Sequence, residues 1–168
     1  MPRKYNAPPN GGVAYMERTD NRPDWMLRGH LQRRGRAGEA DVVKKANCPD
    51  CGAKLALLRK KNAPLFDVEC TGCSFMAQIK APRGRPRNRI TGAGYGVLKE
   101  WLEEGNPVPP LIVNFRWETG QQILFYRDIP ESHIKVRKLS KNHRYAGYEM
   151  FTYVRLNTLK CETLYLEG

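Results

Sequence analysis

The chain has 168 residues and a mass of 19.3 kDa; it is 40% apolar and 27% charged, with 15 Gly and 12 Pro. That leaves room for one compact domain and an arm, with a core large enough to do without disulfide staples, and it excludes a large multidomain machine. The net charge is +12, and 11 of the 12 excess charges precede residue 92, an asymmetry that suits a polyanionic partner, because Lys and Arg that neutralise phosphates release condensed counterions.

An anionic membrane would attract the same charge, but the basic segments carry Gly and Pro instead of the apolar stripe of an interfacial helix. No apolar run approaches the ~20 residues of a membrane span, and Met1 to Asn10 lacks a signal-peptide core, so the expectation is a cytoplasmic protein with no membrane partner. In a reducing compartment its five cysteines are metal ligands or packing residues before they are disulfides.

Residues 1–32 mix Pro, Gly, Asn and charge with no sustained period, which reads as a basic N-terminal arm with Trp25, Met26 and Leu27 as its anchor. Residues 33–168 form the folded domain. Its first helix is expected to start near Ala37, after the weakening Gly35, and to run to Lys45 with Val42 and Val43 on the buried side. The segment from 48 to 73, bounded by cysteines, reads as strand, turn, strand. Ser74 to Lys80 alternates cleanly, with Phe75, Ala77 and Ile79 on one face and Met76, Gln78 and Lys80 on the other, as a strand does.

Ala81 to Arg89, with two prolines and four arginines, is an exposed basic loop. Tyr95, Leu98, Trp101 and Leu102 then fall at helical spacing, and Gly105 and Pro107 close that helix. Residues 110–117 and 122–128 form a hairpin about the turn Glu118 to Gln121, and 148–156 is a later strand. Lys135, Arg137, Lys138 and Lys141 read as a strand edge guarded by charge. Cys161 reads as a small packed apolar residue.

Cys48 and Cys51 form CPDC, Cys70 and Cys73 form CTGC, and 18 residues separate the pairs. Two short turns presenting two thiolates each are what a tetrahedral Zn2+ site needs, and Gly52 and Gly72 make those turns easy. With sulfur at all four positions the metal is closed to substrate, so its role is structural.

Between and after these pairs lie Asp67 and, eleven and thirteen positions later, Gln78 and Lys80. If the two strands pair through the CTGC turn, a carboxylate, an amide oxygen and an ammonium converge. That is a minimal set for metal-assisted phosphodiester hydrolysis, with Asp67, Gln78 and the Ile79 carbonyl as oxygen ligands to Mg2+ or Mn2+ and Lys80 beside the attacking water. The same residues on a solvated strand face would do nothing, so the spacing alone leaves both readings open.

The run from CPDCG through PLFDVECTGCSFMAQIK resembles the catalytic domain of the DpnI-type restriction endonucleases, within the PD-(D/E)xK nuclease superfamily, and the likeness extends over roughly residues 35–157. The resemblance implies an α/β fold with a restriction-endonuclease-like core, a mixed central sheet, flanking helices and a four-cysteine zinc-ribbon insertion. It implies that Asp67 binds metal, that Lys80 is the catalytic lysine, that Ile79 contributes its carbonyl, and that Glu39 on the first helix is an auxiliary acidic residue. Gln78 stands where the family has an acidic residue and supplies an oxygen without charge. The sequence ends at Gly168, with no room for the separate winged-helix domain of the DpnI type, so restriction-type cleavage directed by adenine methylation, which the resemblance would otherwise imply, stays open.

The implied partner is DNA, double-stranded, with a homodimer compatible with the sequence. Arg83, Arg85, Arg87 and Arg89 follow the catalytic strand, and Arg33, Arg34 and Arg36 precede the first helix; these are the candidate phosphate contacts. The alternative from another class is a nonenzymatic zinc-ribbon nucleic-acid-binding protein, in which Asp67 and Lys80 merely pair at the surface. A structural partner in a ribonucleoprotein assembly is a third reading, disfavoured by the nearly neutral C-terminal half.

Overall fold

The computed structural model describes residues 30–58, 65–141 and 147–168; the N-terminal arm up to residue 29, with Trp25, and the side chains of Arg33 and Arg34 lie outside the described residues. The fold is mixed α/β with few helices, and the chain divides into two compact units. Among the described residues, one comprises 30–58, 65–86, 109–128 and 159–168, the other 87–108, 129–141 and 147–158.

The first unit contains a helix and a six-stranded mixed sheet. Helix α1 (His30–Lys45) begins well before the expected Ala37, because a glycine inside a helix costs only about 1 kcal/mol and does not by itself end it. Strands β1 (Leu55–Leu57), β2 (Val68–Cys70) and β3 (Met76–Lys80) form an antiparallel meander. After β3 the chain passes through the residues of the second unit, including β4 (Ile90–Gly94) and helix α2 (Tyr95–Glu103), and returns as β5 (Leu111–Trp117). β5 lies parallel to β3, with Gln78 opposite Leu111 and Lys80 opposite Val113.

β5 and β6 (Gly120–Tyr126) form the expected hairpin, but its turn is only Glu118 and Thr119: Trp117 pairs with Gly120, two residues earlier than the composition of the turn suggests. The sheet ends with β9 (Glu162–Glu167), antiparallel to β6, in the order β1-β2-β3-β5-β6-β9. Cys161, at the threshold of β9, is exposed, which corrects the expectation of a packed residue.

The core of this unit gathers Val42 from α1 and Ala46 just beyond it with Phe75, just before β3, and Leu55, Val68, Ala77, Ile79, Ile112, Ile123 and Phe125 from the sheet. Phe75 meets Phe125 edge to face, with ring centroids 5.4 Å apart. Burying each Val, Leu, Ile or Phe here contributes roughly 1.5–3 kcal/mol. The five residues Leu111 to Phe115 are all buried, as the unbroken run LIVNF requires of a strand covered on both faces.

In the second unit β4, β8 (Glu149–Tyr153) and β7 (Ile134–Lys138) form a three-stranded antiparallel sheet, with β8 central. The Lys- and Arg-rich β7 is an edge strand, as its charge predicts. α2 packs on β8 through the contact of Tyr95 with Phe151, at a centroid separation of 6.4 Å, and Leu98 is its buried residue.

Candidate metal centre and active site

The two CxxC pairs face each other at one end of the β1–β2–β3 meander. Their four Sγ atoms all lie within 4.8 Å of one another, with Cys48 to Cys73 at 3.6 Å and Cys51 to Cys70 at 3.4 Å. Sulfurs about 2.3 Å from a common tetrahedral centre would be about 3.8 Å apart, so these separations are close enough to hold a metal ion and are consistent with structural zinc. The local fold repeats: the amide two residues after each cysteine donates to its sulfur. Asp50 donates to Cys48 at 3.3 Å and Gly72 to Cys70 at 3.1 Å, and Ala53 and Phe75 serve Cys51 and Cys73. Gly52 supports the first turn with a φ of 81°, a left-handed conformation that a side chain resists.

Four thiolates this close repel one another. Burial opposes ionisation of Cys70, yet the Gly72 amide and the neighbouring sulfurs bring its thiol down to about 7. At Cys73 the Phe75 amide favours the thiolate, but burial and the other three sulfurs outweigh it and push the thiol up to about 12. Full deprotonation near neutral pH therefore calls for a cation at the centre, which is what the donor set fits. The knuckle is docked on the sheet by an ion pair of Asp50 with Arg127, 2.7 Å, just beyond β6.

The second cluster sits where β2 begins. Val68 is the register partner of Ala77, and Asp67 donates its own N–H to the same Ala77 carbonyl at 2.9 Å, while its carbonyl accepts from Leu58 at 2.8 Å. Held on both sides, Asp67 turns its carboxylate to the amide of Ile79, which donates to Oδ2 at 2.8 Å. Burial pushes the Asp67 carboxyl above its ordinary value of 3.8, and the Ile79 N–H and the Lys80 charge oppose the shift. Burial likewise lowers the Lys80 ammonium from 10.5, against the attraction of Asp67 and Glu39.

Glu39 reaches this neighbourhood because α1 approaches the end of β3 closely: a Cβ at Gly38 would lie 2.3 Å from the Cβ of Ala81. Asp67, Lys80 and Glu39, far apart in sequence, are thus electrostatic neighbours. Gln78 is on the same strand, with its backbone N–H bonded to the Pro110 carbonyl at 2.9 Å and its side chain buried.

The basic residues are placed unequally. Arg36 on α1 is exposed, and so are Arg83, Arg85, Arg87 and Arg89. Arg83 and Arg85 belong to the unit carrying Asp67 and Lys80; Arg87 and Arg89 belong to the other.

Sequence reasoning missed a buried polar network that seats α1 on the sheet. Asn114 Nδ2 donates to the Gly38 carbonyl at 3.1 Å and to Asp41 at 3.3 Å, Gln121 Nε2 donates to Asn114 Oδ1 at 2.8 Å and also to Asp41, and Lys45 donates to Gln121 Oε1 at 2.6 Å. The signal was an Asn inside the apolar run LIVNF: a polar group in a fully buried strand must have partners.

Among known proteins, no family model and no curated sequence matches the chain. No helix among the described residues is long and apolar enough to cross a membrane.

Proposed function

We propose that the chain is a Mg2+-dependent DNA endonuclease of the PD-(D/E)xK class, similar to the DpnI type, stiffened by a structural zinc. The observation that carries the reading is one half-buried lysine, Lys80, within the electrostatic reach of two carboxylates from separate elements, Asp67 before β2 and Glu39 on α1. The parallel pairing of β3 with β5, following an antiparallel meander, supports the mixed-sheet core that the resemblance implies.

Asp67, the Gln78 amide oxygen and the Ile79 carbonyl are the residues that would hold Mg2+, which when bound supplies Lewis acidity at a phosphoryl oxygen. The Ile79 amide donates to Oδ2 of Asp67, and Oδ1 is the carboxylate oxygen that would bind the ion. Lys80, desolvated and lowered in pKa, takes up the proton of the water that attacks phosphorus and offsets charge on the pentacovalent centre. The P–O3′ bond breaks, the 3′ oxygen takes a proton from solvent water and leaves as a hydroxyl, and the downstream fragment keeps the phosphate on its 5′ end. Gln78 brings one negative charge fewer than an acidic residue would, so divalent-ion affinity is lower and Glu39 carries more of the charge balance.

The second reading, a zinc-stabilised nucleic-acid-binding protein without catalysis, is favoured by the same neutral Gln78. Incubating the pure protein with methylated and unmethylated plasmid in Mg2+ or Mn2+ separates the two. The wild type cuts, and Asp67→Ala and Lys80→Ala each lose ~10²–10⁴-fold in rate. A wild type that cuts no DNA in either metal or methylation state removes the enzymatic reading and leaves the binding one.

A further inference from the structure

The basic loop after β3 is less free than its composition suggests. Arg83 forms a parallel bridge with Arg116, continuing the register by which Lys80 faces Val113, and Gly84 donates its N–H to the Arg116 carbonyl at 2.6 Å. Two arginines are thereby locked side by side three residues beyond Lys80, roughly 10 Å along the strand.

Between them and α1 lies a cavity of about 650 Å³ lined by Ala37, Arg83, Gly84, Arg116, Trp117 and Glu118. The Arg116 guanidinium is tucked against the helix: Nη2 is 3.4 Å from the position a Cβ would take at Gly38. Its Nε is buried and finds no hydrogen-bond partner among the described residues, which costs about 1–3 kcal/mol unless a ligand answers it. The Trp117 ring rests over Gly120, where a Cβ would lie 2.7 Å from Cζ2, and carries the Arg85 guanidinium 4.9 Å from the ring centroid.

We infer that this cavity binds a backbone phosphate of a nucleic-acid strand, with Arg116 and Arg83 gripping the phosphate and Trp117 with Arg85 forming a platform for the adjoining base. The chemistry selects this ligand on three counts. Arginine forks match phosphate oxygens two at a time, three guanidinium groups outweigh the one carboxylate of Glu118, and an aromatic face beside a phosphate clamp stacks bases of any sequence. The volume suits a nucleotide unit. In placing this phosphate within a few nucleotides of the scissile one at Lys80, the inference rests on the nuclease reading; the binding itself does not.

The test is anisotropy of a labelled duplex and of a labelled single strand, titrated with salt without added Mg2+. The panel is wild type, Arg83→Gln, Arg116→Gln, Trp117→Leu and Lys138→Gln, with inorganic phosphate and a nucleoside monophosphate as competitors. The two Gln variants bind about tenfold more weakly and lower the salt slope by about one each; Trp117→Leu binds about tenfold more weakly with the slope unchanged. Arg116→Lys, which keeps the charge in case Arg116→Gln does not fold, keeps the slope and loses affinity.

Lys138→Gln, on the edge strand β7 and outside the pocket, binds like the wild type. Pocket variants with wild-type affinity and slope overturn the inference, as does a wild type that binds the monophosphate but no strand. Pocket-dependent binding without cleavage sinks the nuclease reading and keeps the pocket; cleavage with pocket-independent binding does the reverse.

Discussion

Gly38 on α1 and Ala81 after β3 approach so closely that a Cβ at Gly38 would lie 2.3 Å from that of Ala81. This contact brings Glu39 within electrostatic reach of Lys80. Gly38→Ala gains about 1 kcal/mol of helix propensity but forces α1 off the sheet, an overpacking cost of about 1–3 kcal/mol. The variant is expected to be less stable in urea and slower in cleavage, and Ala81→Gly in the same chain is expected to restore both.

The cysteine cluster predicts one tightly held zinc per chain, measurable by native mass spectrometry. Cys48→Ser or Cys70→Ser, at the two buried ligands, is expected to lose the ion and several kcal/mol of stability, since metal binding to such a site is folding free energy. Metal loss is expected on acidification, as protons compete for the thiolates.

Asp67 and Lys80 each give up hydration for their position. Burial raises the Asp67 carboxyl and lowers the Lys80 ammonium, so each charge costs the folded state something near neutral pH. Asp67→Asn with Lys80→Met removes both charges together and is expected to raise stability by about 1–4 kcal/mol in urea unfolding while abolishing cleavage. Lys80→Met alone strands a half-buried carboxylate and is expected to be less stable than the double variant.

The Asp41 network gives the opposite pH behaviour. Burial alone would raise the Asp41 carboxyl, but hydrogen bonds from Gln121 and Asn114 and the charge of Lys45 bring it below 3.8. A carboxyl lowered in the folded state contributes stability above its unfolded value, and that contribution is lost as pH falls through the lower native value. Gln121→Leu removes the largest of these bonds. Its stability is expected to fall by about 1–3 kcal/mol at neutral pH and to vary less steeply with pH below about 4.

What the sequence made legible was local. Paired cysteines, the alternation of Phe75, Ala77 and Ile79, and the spacing of Tyr95 and Leu98 each declare themselves within a few residues, and the strands and helix follow. The start of α1 was misplaced because Gly35 and Gly38 look like breakers, whereas Gly38 is there for the helix to meet Ala81. Strand β4 hid because ITGAG has almost no strand-forming side chains; its pairing with β8 is fixed by the partner.

The proximity of Asp67 and Lys80 was readable from their offset around the CTGC turn. The contacts of Asn114, Gln121, Arg116 and Trp117 were not, because they join α1, the loop after β3 and the β5–β6 hairpin, which no local pattern encodes.

The central claim is that a second, oxygen-bound cation sits beside Lys80. Crystals grown with Mn2+ and a duplex, measured for anomalous scattering, test it most directly. The account predicts a peak at the four sulfurs and a separate Mn2+ peak within about 2.5 Å of an Asp67 carboxylate oxygen, absent in Asp67→Ala. A single peak at the cysteines, with duplex bound and Asp67 still bonded only to the Ile79 amide, would contradict it.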